Sequence, residues 1–179
     1  GFAAEYGRLP LDFSANINPL GMPEGVRRAV TEALDQAVHY PDPLCRRLKS
    51  ALSEYHKVPE DFLICGNGAY ALRPKRALLT APTFSEYEEA LKQTGTELLF
   101  YRMEADLEVR KDILEQMEQR PDVMFLCNPN NPTGILTDQE LLIQILKKAE
   151  HLGIFLVLDE CFLDFTGQEE RSLIEETKK

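Results

Sequence analysis

Val123-Met124-Phe125-Leu126-Cys127-Asn128-Pro129-Asn130-Asn131-Pro132-Thr133-Gly134 is the stretch on which the fold turns. Its first five residues form a short apolar run that reads as a strand. The run delivers a loop with two X-Pro steps, which forbid helix and hold the chain in extended or turn geometry. The asparagines offer amide donors at the strand's carboxyl end. A purely structural loop is the plain alternative, but seven such residues in a row exceed what turning a chain requires.

Four more apolar runs flank this one, at residues 62–65, 77–81, 97–101 and 154–159, and amphipathic helices lie between them. Ser85-Glu86-Tyr87-Glu88 and Thr137-Asp138-Gln139-Glu140 both fit the capping box, in which hydroxyl and glutamate satisfy orphan amides reciprocally. Strand–helix alternation of this kind predicts an α/β fold with a mostly parallel sheet. Upstream, Pro23 opens a helical pattern with Val26, Ala29, Val30, Ala33, Leu34 and Ala37 on one face. Tyr40-Pro41-Asp42-Pro43 breaks it, and a second helix carries Leu44, Leu48, Ala51, Leu52 and Tyr55.

Parallel sheets gather ligand-binding residues at the carboxyl ends of their strands, which directs attention to two further strand ends. The run at 62–65 leads into Gly66-Asn67-Gly68-Ala69, where glycines let backbone amides turn toward an anion; a tight turn is the plain alternative. The run at 154–159 ends on Asp159, a carboxylate delivered by a buried strand and costly there without a cationic partner. A salt bridge or helix cap is the plain alternative. Glu160 points to the other side by alternation and reads as structural. An anion cradle, an amide donor and a buried carboxylate suit a phosphate, a phenolic oxygen and a pyridinium nitrogen, the three polar handles of pyridoxal phosphate.

Composition narrows the class. The chain has 179 residues, 44% hydrophobic and 28% charged, in the ordinary range for one globular domain with a sizeable core. A net charge of -10 argues against nucleic acid, whose phosphates demand a basic surface. No apolar run approaches a membrane span. Cys45, Cys65, Cys127 and Cys161 form no C-x-x-C pair, so zinc and disulfide frameworks are poor readings and a reducing cytoplasm is expected. No metal is expected either, and His39 and His56 read as surface or core histidines.

The loop at 128–134, together with Asp159-Glu160-Cys161-Phe162, resembles the fold-type-I pyridoxal-phosphate enzymes related to histidinol-phosphate aminotransferase, in the class I/II aminotransferase superfamily. Residues 11–21, Leu-Asp-Phe-Ser-Ala-Asn-Ile-Asn-Pro-Leu-Gly, are similar to the threonine-phosphate decarboxylase branch. Tyr40-Pro41-Asp42-Pro43, Gly66-Asn67-Gly68 and Pro82-Thr83-Phe84-Ser85-Glu86-Tyr87 match in order, so the resemblance covers nearly the whole chain. It implies a three-layer α/β/α large domain over residues 41–179. Residues 1–40 would then be an N-terminal segment that belongs with the small domain.

The resemblance also implies roles. Asp159 pairs with the pyridine nitrogen and Asn131 donates to the phenolic oxygen. Phe84 stacks on the ring, and the backbone of Gly68 and Ala69 holds the phosphate. Tyr40 reaches the phosphate of a neighbouring subunit, which makes a composite site in a homodimer, and Asn16 contacts the substrate. A cis peptide is implied at Asn131–Pro132. Each residue has a plainer reading: Phe84 as core, Tyr40 as a helix-end staple, Asn16 as an Asx-turn residue.

The implied activity is decarboxylation of L-threonine O-phosphate to (R)-1-aminopropan-2-yl phosphate in cobalamin biosynthesis. A histidinol-phosphate transaminase and a catalytically inert large-domain fragment are the alternatives. Two departures from the family pattern stand out. Phe162 replaces a tyrosine common three residues after the aspartate, which favours the decarboxylase branch. A helical turn usual after Gly68 is missing. The family's Schiff-base lysine, the rest of its large domain and its C-terminal small domain are expected beyond Lys179, and Lys178 and Lys179 read as solvated tail.

Overall fold

The computed structural model describes residues 17–18, 20–66 and 74–178. The chain divides into two compact units, Gly1–Arg47 and Leu48–Lys179.

In the first unit Asn18 builds a turn from its own side chain. Its Oδ1 accepts from Leu20 N at 3.0 Å, and its Nδ2 donates to Gly21 O at 3.0 Å. Gly21 has φ +74, a conformation that glycine adopts without steric cost. Helix α1 (Glu24–Ala33) follows behind Pro23 and tightens into a 3-10 turn at Leu34–Val38. Asp42 then starts helix α2 (Arg46–His56): its carboxylate accepts from Leu44 N at 3.1 Å and Arg46 N at 3.0 Å. Those two amides hold the Asp42 carboxyl below its ordinary range.

The second unit is built on a parallel four-stranded sheet: β1 (Arg76–Ala81), β2 (Glu97–Arg102), β3 (Val123–Cys127) and β4 (Phe155–Asp159), in the order β2-β1-β3-β4. Helix α3 (Ser85–Gln93) links β1 to β2, α4 (Ile113–Met117) precedes β3, and α5 (Gln139–Leu152) links β3 to β4. Alternation sorts the strand side chains onto two faces. Leu78, Met124 and Leu126 pack with Ile113 and Met117 of α4 and with Leu141, Leu142 and Ile145 of α5. Ala77, Leu79, Val123 and Phe125 pack on the opposite face with Leu91 of α3. The result is the α/β/α layering expected, and each fully buried aliphatic side chain in it stabilises the fold by about 1.5–3 kcal/mol.

β1 and β3 are clamped below their first residues. Asp122 Oδ2 accepts from both Lys75 N and Arg76 N at 2.8 Å, and this pair of amides lowers the Asp122 pKa. The clamp helps set the register that pairs Ala77 with Val123 and Leu79 with Phe125.

Four of the five expected strands form within a residue of the apolar runs. The fifth does not. Phe62 closes a 3-10 turn at Glu60–Phe62, and Leu63 to Cys65 have no strand partner among the described residues. Leu63 is extended, at φ -106 and ψ 126, but Ile64 is 96% exposed: an extended apolar run becomes a strand only when a neighbour takes its hydrogen bonds. The capping boxes also differ from expectation. Helix α3 has Phe84 at its N-cap and Ser85 already inside, with no side-chain cap. Helix α5 is capped by Asp138, which accepts from Leu141 N at 3.0 Å, while Thr137 N, the amide that Glu140 would satisfy in a capping box, donates to Asn128 Oδ1 at 2.7 Å. Its carboxyl end closes on Gly153 at φ +69, the left-handed cap conformation.

Candidate functional site

The strand order reverses between β1 and β3, since the chain steps outward to β2 and then returns to the other side of β1. In an open parallel sheet the crevice outside the carboxyl ends of such a strand pair is where ligands bind. Two loops leave the sheet there, residues 82–84 after β1 and residues 128–134 after β3. Asn130 sews them together. Its Nδ2 donates to Pro82 O at 3.0 Å and to Thr133 Oγ1 at 3.1 Å, and its Oδ1 accepts from Thr83 Oγ1 at 3.0 Å. Its backbone N donates to Ile135 O at 3.0 Å, closing the loop on itself. The peptide bonds Ala81–Pro82, Asn128–Pro129 and Asn131–Pro132 are cis, the last as the resemblance implied.

Four adjacent loop residues thus have separate duties. Asn128 is fully buried, its Oδ1 held by Thr137 N, while its Nδ2 finds no partner among the described residues. Pro129 O accepts from the Cys127 thiol at 3.3 Å. Asn130 is the staple, 5% exposed. Asn131 is half-buried, and its side chain makes no hydrogen bond among the described residues, which leaves the amide available to a ligand.

Asp159 ends β4. By alternation it shares a face with Val157, and in register it lies beside Cys127. Asp159 Oδ1 accepts from Cys161 N at 2.9 Å, and Oδ2 accepts from the Tyr87 hydroxyl. Tyr87 rises from the first turn of α3. Its ring stacks on Phe125, with centroids 5.2 Å apart and planes at 29°, and meets Phe84 edge-on at 5.5 Å and 82°. Phe84 remains 38% exposed at the mouth of this aromatic row. Burial, then the bond to Asp159, raises the Tyr87 pKa far above the ordinary tyrosine value. Burial likewise pushes up the Cys127 thiol. Both groups are therefore neutral at physiological pH, and the Tyr87 hydroxyl is a fixed donor to the carboxylate.

Asp159 is half-buried rather than buried as expected from its strand. β4 is the edge of the sheet, with β3 as its one neighbour among the described residues, and its Phe155 is 61% exposed. β3, between two strands and under helices on both sides, is buried throughout. Of the cysteines beside the strand-like runs, Cys127 is buried, Cys65 half-buried and Cys161 exposed. Glu160 turns to the other side, as alternation requires, and ties down the following segment: Oε1 accepts from Leu173 N at 2.9 Å and Oε2 from Ser172 Oγ at 2.5 Å.

Of the residues anticipated for the site, the structure brings Asp159 and Phe84 together through Tyr87, and it sets Asn131 in the loop after Cys127. Tyr40 belongs to the first unit and is fully exposed. Gly68, Ala69 and Asn16 lie outside the described residues. Tyr87 was not anticipated as a site residue. Its signal was present in the spacing Phe84-x-x-Tyr87 at the start of a helix, which sets the two rings on one side of it.

A pyridine cofactor fits this donor set. A carboxylate held by one donor on each oxygen still offers lone pairs to a ring N–H. Phe84 presents an aromatic surface, and Asn131 an amide without a hydrogen-bond partner among the described residues.

The sequence matches the family described as aminotransferase class I and II over residues 10–179. It is 44% identical over 169 residues to the threonine-phosphate decarboxylase of Salmonella typhimurium, an alignment covering 89% of this chain and 46% of that protein. It is 31% identical to the adenosylcobalamin biosynthesis bifunctional protein CobDQ of Leptospira interrogans, over 94% of this chain and 21% of that one. Its fold superposes on the histidinol-phosphate aminotransferase of Clostridium acetobutylicum with a TM-score of 0.85 at 31% identity, covering 94% of this chain and 52% of that one. The chain spans about half the length, or less, of the curated relatives it matches.

Proposed function

The chain belongs to the class I and II aminotransferase family, and from that premise we propose that the protein carrying it decarboxylates L-threonine O-phosphate to (R)-1-aminopropan-2-yl phosphate, with pyridoxal phosphate as cofactor, in cobalamin biosynthesis. The observation that carries the reading is the Asp159 carboxylate, pinned at both oxygens beside the crevice where the strand order reverses. Sequence identity supports the decarboxylase over the transaminase, at 44% to the Salmonella enzyme against 33% to the histidinol-phosphate aminotransferase of Desulfitobacterium hafniense. The backbone likeness to the Clostridium transaminase reports the shared fold, which both chemistries use. Phe162, where a second phenolic donor to the cofactor is common, supports the same side.

When bound, the cofactor supplies an electron sink for the pair left by a bond broken at the substrate's α-carbon. Asp159 would accept the ring N–H and keep that nitrogen protonated, the charged partner for which its carboxylate is oriented. Phe84 would cover one ring face and exclude water from it. Asn131 would donate its side-chain amide to the phenolic oxygen. Asn130 would hold the two loops at a fixed separation, so that Asn131 and Phe84 keep their spacing. The backbone of Gly68 and Ala69 would cradle the phosphate, Asn16 would meet the substrate, and Tyr40 would serve the site of a second copy in a homodimer. Residues 41–179 would form part of the cofactor-binding large domain, with residues 1–40 belonging to the small one. No described helix is long and apolar enough to cross a membrane, and we assign the protein to the cytoplasm.

The test is a product assay on the full-length gene product loaded with pyridoxal phosphate. Carbon dioxide released in step with aminopropyl phosphate from L-threonine O-phosphate is the expected result. Amino transfer from histidinol phosphate to a 2-oxo acid, without carbon dioxide, would establish the transaminase instead.

A further inference from the structure

Resting on the cofactor reading above, we propose that Tyr87 is a positioning residue for Asp159: its hydroxyl fixes the plane of the carboxylate that meets the cofactor's ring nitrogen. The terminal torsion of an aspartate is broad and two-fold, so a carboxylate at a strand end swings unless something holds it. Among the described residues Asp159 has two holds of different kinds. Cys161 N on Oδ1 is local, two residues away on the same turn, and travels with the strand. Tyr87 on Oδ2 comes from another element, 72 residues earlier in the chain. Among the described residues it alone couples the carboxylate to helix α3.

That coupling reaches the ring-stacking surface as well. Phe84 stands three residues before Tyr87 and contacts its ring edge-on. One turn of one helix therefore sets both the carboxylate plane and the aromatic face, the two features that fix how a flat heterocycle lies in the crevice. The phenol is itself rigid, stacked on Phe125 from β3. As ordinary core it would be poorly chosen. Phenylalanine fills the same stack without burying a hydroxyl, whose burial is costly unless hydrogen-bonded. Here the hydroxyl is spent on a charged acceptor, the stronger class of hydrogen bond. Its raised pKa keeps it a donor across the working range. One donor on each oxygen leaves the outer lone pairs free, so Tyr87 orients Asp159 without competing for the ring N–H.

The experiment uses the full-length protein and four forms: wild type, Tyr87→Phe, Asp159→Asn and the double variant. Pyridoxal phosphate affinity is measured by equilibrium dialysis, and the resonance of the 15N-labelled ring nitrogen is recorded on the bound cofactor. Tyr87→Phe should weaken binding about tenfold, the scale of a lost hydrogen bond to a charged group, and move the 15N resonance toward that of Asp159→Asn. In the Asp159→Asn background the same change should cost less than about twofold, because a residue that acts through Asp159 has nothing left to act on. Equal losses in both backgrounds, or an unmoved 15N resonance, would reduce Tyr87 to a packing residue and overturn the proposal while the cofactor reading stands. A wild-type protein that binds no pyridoxal phosphate would remove that reading and this proposal with it.

Discussion

Asn130 and Asn131 are adjacent, chemically identical and part of one loop, yet only the first should destabilise the fold when replaced by alanine. Asn130 is 5% exposed and makes three side-chain hydrogen bonds, to Pro82 O, Thr133 Oγ1 and Thr83 Oγ1, between 3.0 and 3.1 Å. At about 1 kcal/mol net for each such bond, the gross loss is about 3 kcal/mol. Pro82 is exposed and Thr83 and Thr133 are half-buried, so water re-satisfies part of what is lost. The expected cost of Asn130→Ala is therefore about 2–3 kcal/mol of unfolding free energy. Asn131→Ala deletes no side-chain hydrogen bond among the described residues and should stay within about 0.5 kcal/mol of wild type, as changes away from packing and hydrogen-bond networks usually do. Chemical denaturation with urea, followed by circular dichroism, measures both. If the slopes match wild type, the midpoints give the difference directly. An Asn130→Ala protein as stable as wild type, or an Asn131→Ala protein that is the less stable of the two, would refute the division of labour in this loop.

Three further outcomes follow from the same structure. Asp138→Ala removes the cap on Leu141 N and should cost about 1 kcal/mol, read as a lowered denaturation midpoint. Leu142→Ala opens a cavity at a fully buried position between α5 and the sheet and should cost about 2–5 kcal/mol, the largest loss of this set. Tyr101 is buried and donates to Asp112 Oδ1 at 2.7 Å; burial first, then that bond, pushes its pKa up to about 12. A raised folded-state pKa stabilises fully below the unfolded value of about 10, and the contribution is lost as pH rises from there toward the folded value. The stability difference between wild type and Tyr101→Phe should accordingly shrink across pH 10–12 in alkaline denaturation, and a difference constant over that window would contradict the assignment.

How much of this was legible beforehand follows a physical divide. Apolar runs at 77–81, 97–101, 123–127 and 154–159 became strands because each found a neighbour to take its backbone hydrogen bonds. The run at 62–65 has the same composition but no partner among the described residues, and partnership is not written in a local window. Alternation correctly sent Asp159 and Glu160 to opposite sides. It could not say that β4 would have β3 as its one strand neighbour among the described residues, where Asp159 is half-buried. Two capping boxes matched their pattern, yet the cap of α5 is Asp138, and Thr137 N, which Glu140 would satisfy in the box, donates instead to Asn128 Oδ1, nine residues away. Tyr87 is the clearest case. Its sequence neighbours mark a helix start, whereas its role rests on a hydrogen bond to a residue 72 positions later. Short-range chemistry was readable, and contacts set by the sheet order were not.

The most direct test of the central claim is a crystal structure of the full-length protein with pyridoxal phosphate bound. The account predicts the pyridine nitrogen within about 3 Å of an Asp159 carboxylate oxygen, a hydrogen-bonding distance. It also predicts Phe84 against the ring and the Tyr87 hydroxyl still on the other carboxylate oxygen. A ring nitrogen that faces solvent or another side chain, with Asp159 turned away, would contradict it.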